Sequence, residues 1–92
     1  MGEGADVAVT GKWVRFPVVG PSASGRTTMW SVETVEGGVV LGYVKWYGPW
    51  RCYAFYPEAA TLYERRCLRD IADFCEAESK AQLSRARSRR AS

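Results

Sequence analysis

The sequence predicts an α+β fold in which a small antiparallel β-sheet, a meander of three to five strands, is packed by one C-terminal α-helix. β-branched and aromatic residues, interrupted by glycine and proline, fill the first 57 residues, and apolar residues then recur at three- and four-residue spacing. The 92 residues are 47% apolar and 25% charged, which is typical of one globular domain. We expect a flexible N-terminus (1–6), a domain (7–78) and a basic C-terminal tail (79–92).

Turn residues delimit the predicted strands. Gly20–Gly25 has the composition of an exposed loop, Gly37-Gly38 is a tight-hairpin signal, and Gly48-Pro49 breaks the chain again. The expected strands are one or two within 7–19, followed by 26–35, 39–47 and 50–56. Pro57 closes the last of them because proline cannot donate to a strand ladder.

A capped helix is predicted after the last strand. Thr61 and Glu64 fit a capping box, which places the helix start near Leu62. The apolar stripe expected to face the sheet consists of Tyr63, Cys67, Leu68, Ile71, Phe74 and Cys75. Charged residues occupy the remaining positions, and Arg66 and Asp70 have the spacing of an i,i+4 ion pair.

Charge is distributed unevenly along the chain, whose net charge is +3. Residues 1–78 contain eight basic and ten acidic residues, a net charge of −2, whereas residues 79–92 contain five basic residues and no acid. We expect this tail to be a frayed helix or disordered, and to be available to a polyanion through Arg85, Arg87, Arg89 and Arg90. The alternative is a solubilising end that complements the helix dipole.

The composition argues against an enzyme. The chain has no histidine, and Cys52, Cys67 and Cys75 lack the close spacing of a zinc site. We therefore expect no catalytic residues, no metal and no cofactor, with the cysteines as small buried residues in a reducing compartment. No apolar run is long enough for a membrane span, so we expect a cytoplasmic protein without a membrane partner. The small core leaves a homodimer open.

The aromatic residues are concentrated in one hairpin. Seven of the twelve lie between Tyr43 and Tyr56, a segment that contains Lys45 and Arg51 but no acid. If Tyr47 lies opposite either residue 50 or residue 52, strand alternation produces two aromatic faces. The first face comprises Val40, Val44, Trp46, Arg51, Tyr53 and Phe55. The second comprises Leu41, Tyr43, Lys45, Tyr47, Trp50, Cys52, Ala54 and Tyr56, and a two-residue Gly-Gly turn would add Trp30, Val32 and Thr34 to it.

The helix can cover only one of these faces. The N-terminal strands must cover the other, or large aromatic side chains remain exposed for a partner.

The segment Gly42-Tyr-Val-Lys-Trp-Tyr-Gly-Pro-Trp-Arg-Cys-Tyr-Ala-Phe-Tyr56 resembles the opening of a cold-shock domain. The resemblance implies that Trp46, Tyr53 and Phe55 stack on bases and that Lys45 and Arg51 flank them. Cys52 and Ala54 stand where that family has glycines, and a helix stands in place of its next strand.

A second resemblance covers residues 42–76. The motifs Lys45-Trp46-Tyr47, Pro49-Trp50-Arg51, Tyr53, Phe55, Pro57 and Cys67-Leu-Arg-Asp-Ile-Ala-Asp-Phe74 are similar to a group of small proteins encoded by phages and prophages, mostly without assigned function. This resemblance implies a setting in which short proteins bind host machinery or nucleic acid, and it implies no catalytic residues.

Together these observations favour a small phage or mobile-element accessory protein that binds single-stranded nucleic acid. The candidate site residues are Lys45, Trp46, Arg51, Tyr53, Phe55, Arg85, Arg87, Arg89 and Arg90. Two alternatives stay open: a module that binds or inhibits a host protein through the same aromatic surface, and aromatic residues that serve only as core.

Overall fold

The computed structural model describes the backbone of residues 9–10 and 13–91 and the side chains of residues 13–87. Its elements are β1 (Val9–Thr10), β2 (Val14–Phe16), β3 (Val18–Pro21), β4 (Thr28–Thr34), β5 (Val40–Tyr47), β6 (Cys52–Pro57) and α1 (Arg65–Ala91). The predicted flexible segment 1–6 lies outside the described residues. One helix packed on an antiparallel sheet confirms the predicted α+β fold.

The six strands occupy five positions in a single sheet. Strands β1, β2, β4, β5 and β6 are neighbours in that order, and every pairing is antiparallel. Strands β2 and β3 both pair with β4 along the same edge, on either side of Pro17, whose carbonyl oxygen accepts a hydrogen bond from the N–H of Ser31. The N-terminal strands therefore extend the sheet and do not cover either of its faces.

The turn between β4 and β5 differs from the predicted two-residue Gly-Gly turn. The N–H of Thr34 donates to the carbonyl of Val39, which encloses a four-residue loop where Gly37 and Gly38 adopt positive φ. The pairing then shifts from Glu33 opposite Val40 to Val32 opposite Gly42, leaving Leu41 as a bulge.

The bulge corrects the predicted grouping of the two faces. Trp30 pairs with Val44, so Trp30 and Val32 lie on the first predicted face and not on the second. Leu41 is also buried, whereas Val40 is exposed, which reverses the predicted positions of these two residues. The bulge carbonyl of Leu41 accepts hydrogen bonds from the Glu58 N–H and the Tyr63 hydroxyl.

The hairpin between β5 and β6 has the second of the two predicted registers. Tyr47 lies opposite Cys52 and Trp46 lies opposite Tyr53. Residues Gly48–Trp50 form a single 3₁₀ turn, and Arg51 follows in the left-handed conformation with φ of 54°. The Arg51 N–H donates to the carbonyl of Gly48 and closes the turn.

The helix begins at Arg65, three residues later than predicted, and Glu64 caps it in place of Thr61. The Glu64 carboxylate accepts hydrogen bonds from the N–H groups of Arg66 and Cys67, as an N-cap residue does. Thr61 instead bonds to the carbonyl of Glu58 and to the Tyr63 hydroxyl. The predicted capping box is therefore wrong. The helix starts about one turn later than predicted, and the Glu64 carboxylate, not the Thr61 hydroxyl, accepts the hydrogen bonds of its first free N–H groups.

The helix packs on one face of the sheet through the middle of its predicted apolar stripe. Ile71 and Phe74 are buried, and Phe74 stacks on Phe16 with ring centroids 4.0 Å apart. Leu68, which was predicted to lie in the stripe, is half exposed. No helix in the described part of the chain has the length and apolar character needed to cross a membrane.

The predicted basic tail is helical and partly packed. Gln82 is buried, and the Ser79 hydroxyl accepts a hydrogen bond from the N–H of Tyr53 on strand β6. Since β6 is the last strand of the sheet, this bond satisfies an N–H on its open edge. The packed domain thus continues beyond residue 78, and the helical backbone reaches Ala91.

Asp70 ties the helix to strand β2 and does not pair with Arg66. Its carboxylate accepts a hydrogen bond of 2.8 Å from the Trp13 N–H and one of 3.4 Å from the Val14 N–H. Arg66 instead contacts the Glu64 carboxylate and lies over the Trp13 ring. The predicted ion pair between Arg66 and Asp70 is therefore absent. Asp70 bonds to the distant strand β2, and Arg66 contacts its neighbour Glu64 and the distant Trp13 ring.

Candidate functional site: the open face of the sheet

Three predicted stacking residues lie on the face that the helix covers. Tyr53 is only 3% exposed, and Trp46 and Phe55 are partly buried against the core. Tyr53 makes edge-to-face contacts with Trp30 and Trp46, and Phe55 makes one with Tyr63. These contacts join the rings of strands β4, β5 and β6 to one another and to Tyr63, which precedes the helix. Because its ring is enclosed, Tyr53 cannot serve as a base platform, which corrects its predicted role.

The Tyr53 hydroxyl also has a structural partner. It accepts a hydrogen bond from the N–H of Thr28 at the start of β4. Burial raises the pKa of Tyr53, and this effect outweighs the lowering by the Thr28 hydrogen bond and by the Arg85 charge. The phenol is consequently neutral at physiological pH.

The opposite side of the sheet, which we call the open face, presents Tyr43, Lys45, Tyr47, Ala54 and Tyr56 from strands β5 and β6. Cross-strand pairing of Tyr43 with Tyr56 and of Lys45 with Ala54 places these residues on one side. Within the described residues, neither a helix nor another strand packs on this side. This part of the sheet is therefore a surface rich in aromatic side chains.

Two ring contacts occur among the described residues of the open face. The Lys45 ammonium lies 4.3 Å from the centre of the Tyr56 ring, a cation–π contact. Tyr47 and Trp50 meet edge to face with centroids 4.9 Å apart. Trp50 is 73% exposed and Tyr47 is 36% exposed. Trp50 therefore offers the most accessible aromatic ring of this surface.

A shallow hollow lies between these rings. Its volume is about 210 Å³, and Tyr47, Trp50, Ala54 and Tyr56 line it together with Phe55, whose ring lies on the covered face against Tyr63. Ala54 makes the hollow possible, because its small side chain lies between two aromatic neighbours of the open face. A planar ring could enter there and contact Trp50 or Tyr56.

The resemblance placed Lys45 and Arg51 beside Trp46, Tyr53 and Phe55, whereas Lys45 lies on the open face and Arg51 lies in the adjoining turn. Arg51 is exposed at the end of the 3₁₀ turn, next to Trp50. No acidic residue occurs between positions 40 and 57. The hairpin thus combines exposed aromatic rings with positive charge.

The basic part of the helix lies at the same end of the molecule as this turn. Because β4 and β5 are antiparallel, with Trp30 opposite Val44, the start of β4 lies beside the end of β5. Arg85 lines a groove with Thr28 at that end, and Arg87 follows on the exposed helix surface. The predicted residues Arg89 and Arg90 belong to the same helix, and their side chains lie outside the described residues.

The cysteines do not form a reactive site. Cys52, Cys67 and Cys75 are all free and partly buried. Burial, assisted by the neighbouring Cys52, raises the pKa of the Cys75 thiol to about 11. The thiol is therefore protonated and a poor nucleophile at neutral pH. Among the described residues, no group of three cysteine or acidic side chains could hold a metal ion.

Sequence reasoning did not choose Tyr43, Tyr47, Trp50 and Tyr56 as site residues. Strand alternation had nevertheless placed them on one face with Lys45. The missing information was which of the two aromatic faces the helix covers. Of the residues chosen, Lys45 lies on the open face and Arg51 lies in the exposed turn, whereas Trp46, Tyr53 and Phe55 lie on the covered face.

The chain is similar to an uncharacterised 9.3 kDa protein of Acholeplasma phage L2, with 36% identity over 39 residues. The match covers 42% of this chain and spans half the length of the phage protein. This similarity supports the predicted relationship to phage-encoded proteins of unassigned function. No family of known proteins matches the chain. No solved structure matches it either.

Proposed function

We propose that this protein is a small non-enzymatic phage or mobile-element accessory protein that binds single-stranded nucleic acid on the open face. The carrying observation is the exposed Trp50 ring beside Tyr47 and Tyr56, with Lys45 and Arg51 at the margins. Aromatic rings on a sheet surface stack on unpaired bases, whereas positive side chains beside them hold the phosphates. Single strands are favoured over duplexes because only unpaired bases expose their flat faces.

The distribution of charge supports this choice. Residues 1–78 carry a net charge of −2, which would repel a polyanion if it were spread evenly. Arg26, Arg51 and Arg85 outnumber Glu78 at the end of the sheet where Trp50 is exposed, while Glu36 and Glu64 outnumber Arg66 at the opposite end. A strand on the open face would therefore meet the positive end of the molecule.

Titration with a 12-residue oligothymidylate, followed by tryptophan fluorescence, tests the proposal. We expect quenching in the wild-type protein and its loss in Trp50→Phe, because Trp50 is the tryptophan on the proposed surface. Trp50→Ala should weaken binding by about 1–3 kcal/mol, the usual contribution of one stacked base. Its melting temperature should remain unchanged because the ring is mostly exposed.

Trp13→Phe is the matched control, since Trp13 is also exposed but lies with Glu36, Glu64 and Arg66 at the other end of the molecule. This variant should retain both quenching and affinity. If neither single-stranded DNA nor RNA alters the fluorescence of the wild-type protein, the nucleic-acid proposal is wrong. The exposed Trp50, Tyr47 and Arg51 would then favour the second candidate, a host-protein interface, because these residue types dominate interface hot spots.

A further inference from the structure

A polar groove separates the loop before β4 from the last turns of the helix. Its volume is about 490 Å³, within the range of ligand-binding clefts. Its lining includes Arg26 of the loop, Thr28 and Trp30 of β4, and Glu78 and Arg85 of the helix. The loop and the helix thus contribute one arginine each to the same groove.

Both arginines have donors available for an anion. Arg26 and Arg85 are exposed, and within residues 13–87 neither forms an ion pair. Arg85 donates to the side-chain oxygen of Gln82 at 2.9 Å, which orients the guanidinium and occupies only part of its five N–H groups. Glu78 is seven residues earlier on the helix, roughly 10 Å away along its axis. Among its lining residues the groove therefore holds two positive side chains and one negative side chain.

The groove opens at the end of the sheet that carries the Gly48–Trp50 turn. Its floor includes Thr28 and Trp30 of β4, and Trp30 lies opposite Val44, close to the end of β5. A strand stacked on Trp50 could continue around this end and place its backbone between the loop and the helix.

We propose that Arg26 and Arg85 form a phosphate clamp for the nucleic-acid strand whose bases stack on the open face. This inference rests on the proposed function and extends it, because it assigns the backbone of the strand to a particular groove. Guanidinium groups suit this role, since their planar donors match two phosphate oxygens at once.

Salt dependence of oligothymidylate binding tests the clamp. For single strands, each phosphate contact contributes roughly 0.7 to the slope of log affinity against log salt. Arg26→Gln and Arg85→Gln should each reduce the slope by this amount and weaken binding roughly five- to tenfold at 50 mM salt. Arg85→Lys should retain the slope because it retains the charge. Quenching of Trp50 at saturation should persist in all three variants.

Lys80→Gln is the matched control because it removes the same charge from the same helix. Lys80 is exposed, pairs with Glu76 and does not line the groove. An equal loss of slope in Lys80→Gln and Arg85→Gln would overturn the clamp and indicate diffuse attraction by the helix.

Unchanged slopes in both arginine variants, with binding still dependent on Trp50, would also overturn the clamp but leave the proposed function standing. Absence of binding by the wild-type protein would overturn both. Melting temperatures of the variants, expected to match the wild type, show that each one is folded.

Discussion

Phe74 offers a direct test of how the helix is held on the sheet. Its buried ring stacks on Phe16 at 4.0 Å and meets Trp30 edge to face at 4.9 Å. Replacing Phe74 by leucine retains most of the apolar volume but removes both aromatic contacts. Such contacts are worth about 0.5–1.5 kcal/mol each beyond burial, so Phe74→Leu should cost about 1–3 kcal/mol.

Phe74→Ala should be more damaging, because it also leaves a cavity between the helix and the sheet. Truncation of a buried phenylalanine typically costs about 3–5 kcal/mol, a large part of the stability of a domain this small. Leu62→Ala is a suitable control, since Leu62 is 89% exposed and its truncation should change stability by less than about 0.5 kcal/mol.

Urea unfolding followed by circular dichroism provides the assay. The urea midpoint should be highest for Leu62→Ala, lower for Phe74→Leu and lowest for Phe74→Ala. The slope of unfolding free energy against urea concentration should be similar in all three if unfolding exposes the same surface. A Phe74→Leu midpoint equal to that of the wild type would refute the energetic role assigned to the two ring contacts. A loss below about 1 kcal/mol in Phe74→Ala would refute the docking of this helix face altogether.

Two further predictions concern the hairpins and the helix cap. Gly42→Ala should strongly destabilise the protein in urea unfolding, because an added methyl group would collide with the Tyr56 carbonyl oxygen and lie 2.8 Å from the Phe55 ring; a stable variant would show that β6 can move away. Desolvation tends to raise the pKa of Glu64, but hydrogen bonds from Arg66 and Cys67 outweigh it and lower the pKa below its ordinary value. The stability advantage of the wild type over Glu64→Gln should therefore be present at neutral pH and be lost as pH falls through that lowered pKa; a difference in melting temperature that does not change with pH would contradict the cap.

Much of the fold could be predicted from local patterns. Gly37-Gly38 and Gly48-Pro49 correctly marked two turns, because glycine readily adopts the positive φ of the first turn and the fixed φ of proline suits the second. The spacing of Ile71 and Phe74 identified the buried side of the helix. Local patterns did not reveal the helix cap, since threonine is a preferred N-cap residue and glutamate is not, yet the hydrogen bonds place Glu64 at this position.

The candidate site was harder to predict, because each hairpin face carries enough aromatic residues to be a core. Alternation correctly separated Trp46, Tyr53 and Phe55 from the set that includes Tyr47. It could not show which set the helix covers, since this depends on contacts between residues far apart in the chain, such as Phe16 with Phe74.

The sequence by itself determined the class of fold, because strand periodicity and turn chemistry are local properties. For the same reason it limited the partner of Tyr47 to residue 50 or residue 52 and placed Lys45 on one face with the tyrosines. The tertiary structure decided the rest. The bulge at Leu41 moved Trp30 to the face of Val44, and the helix then covered that face. Burial of one face left the other exposed, since a single helix can shield only one side of a sheet.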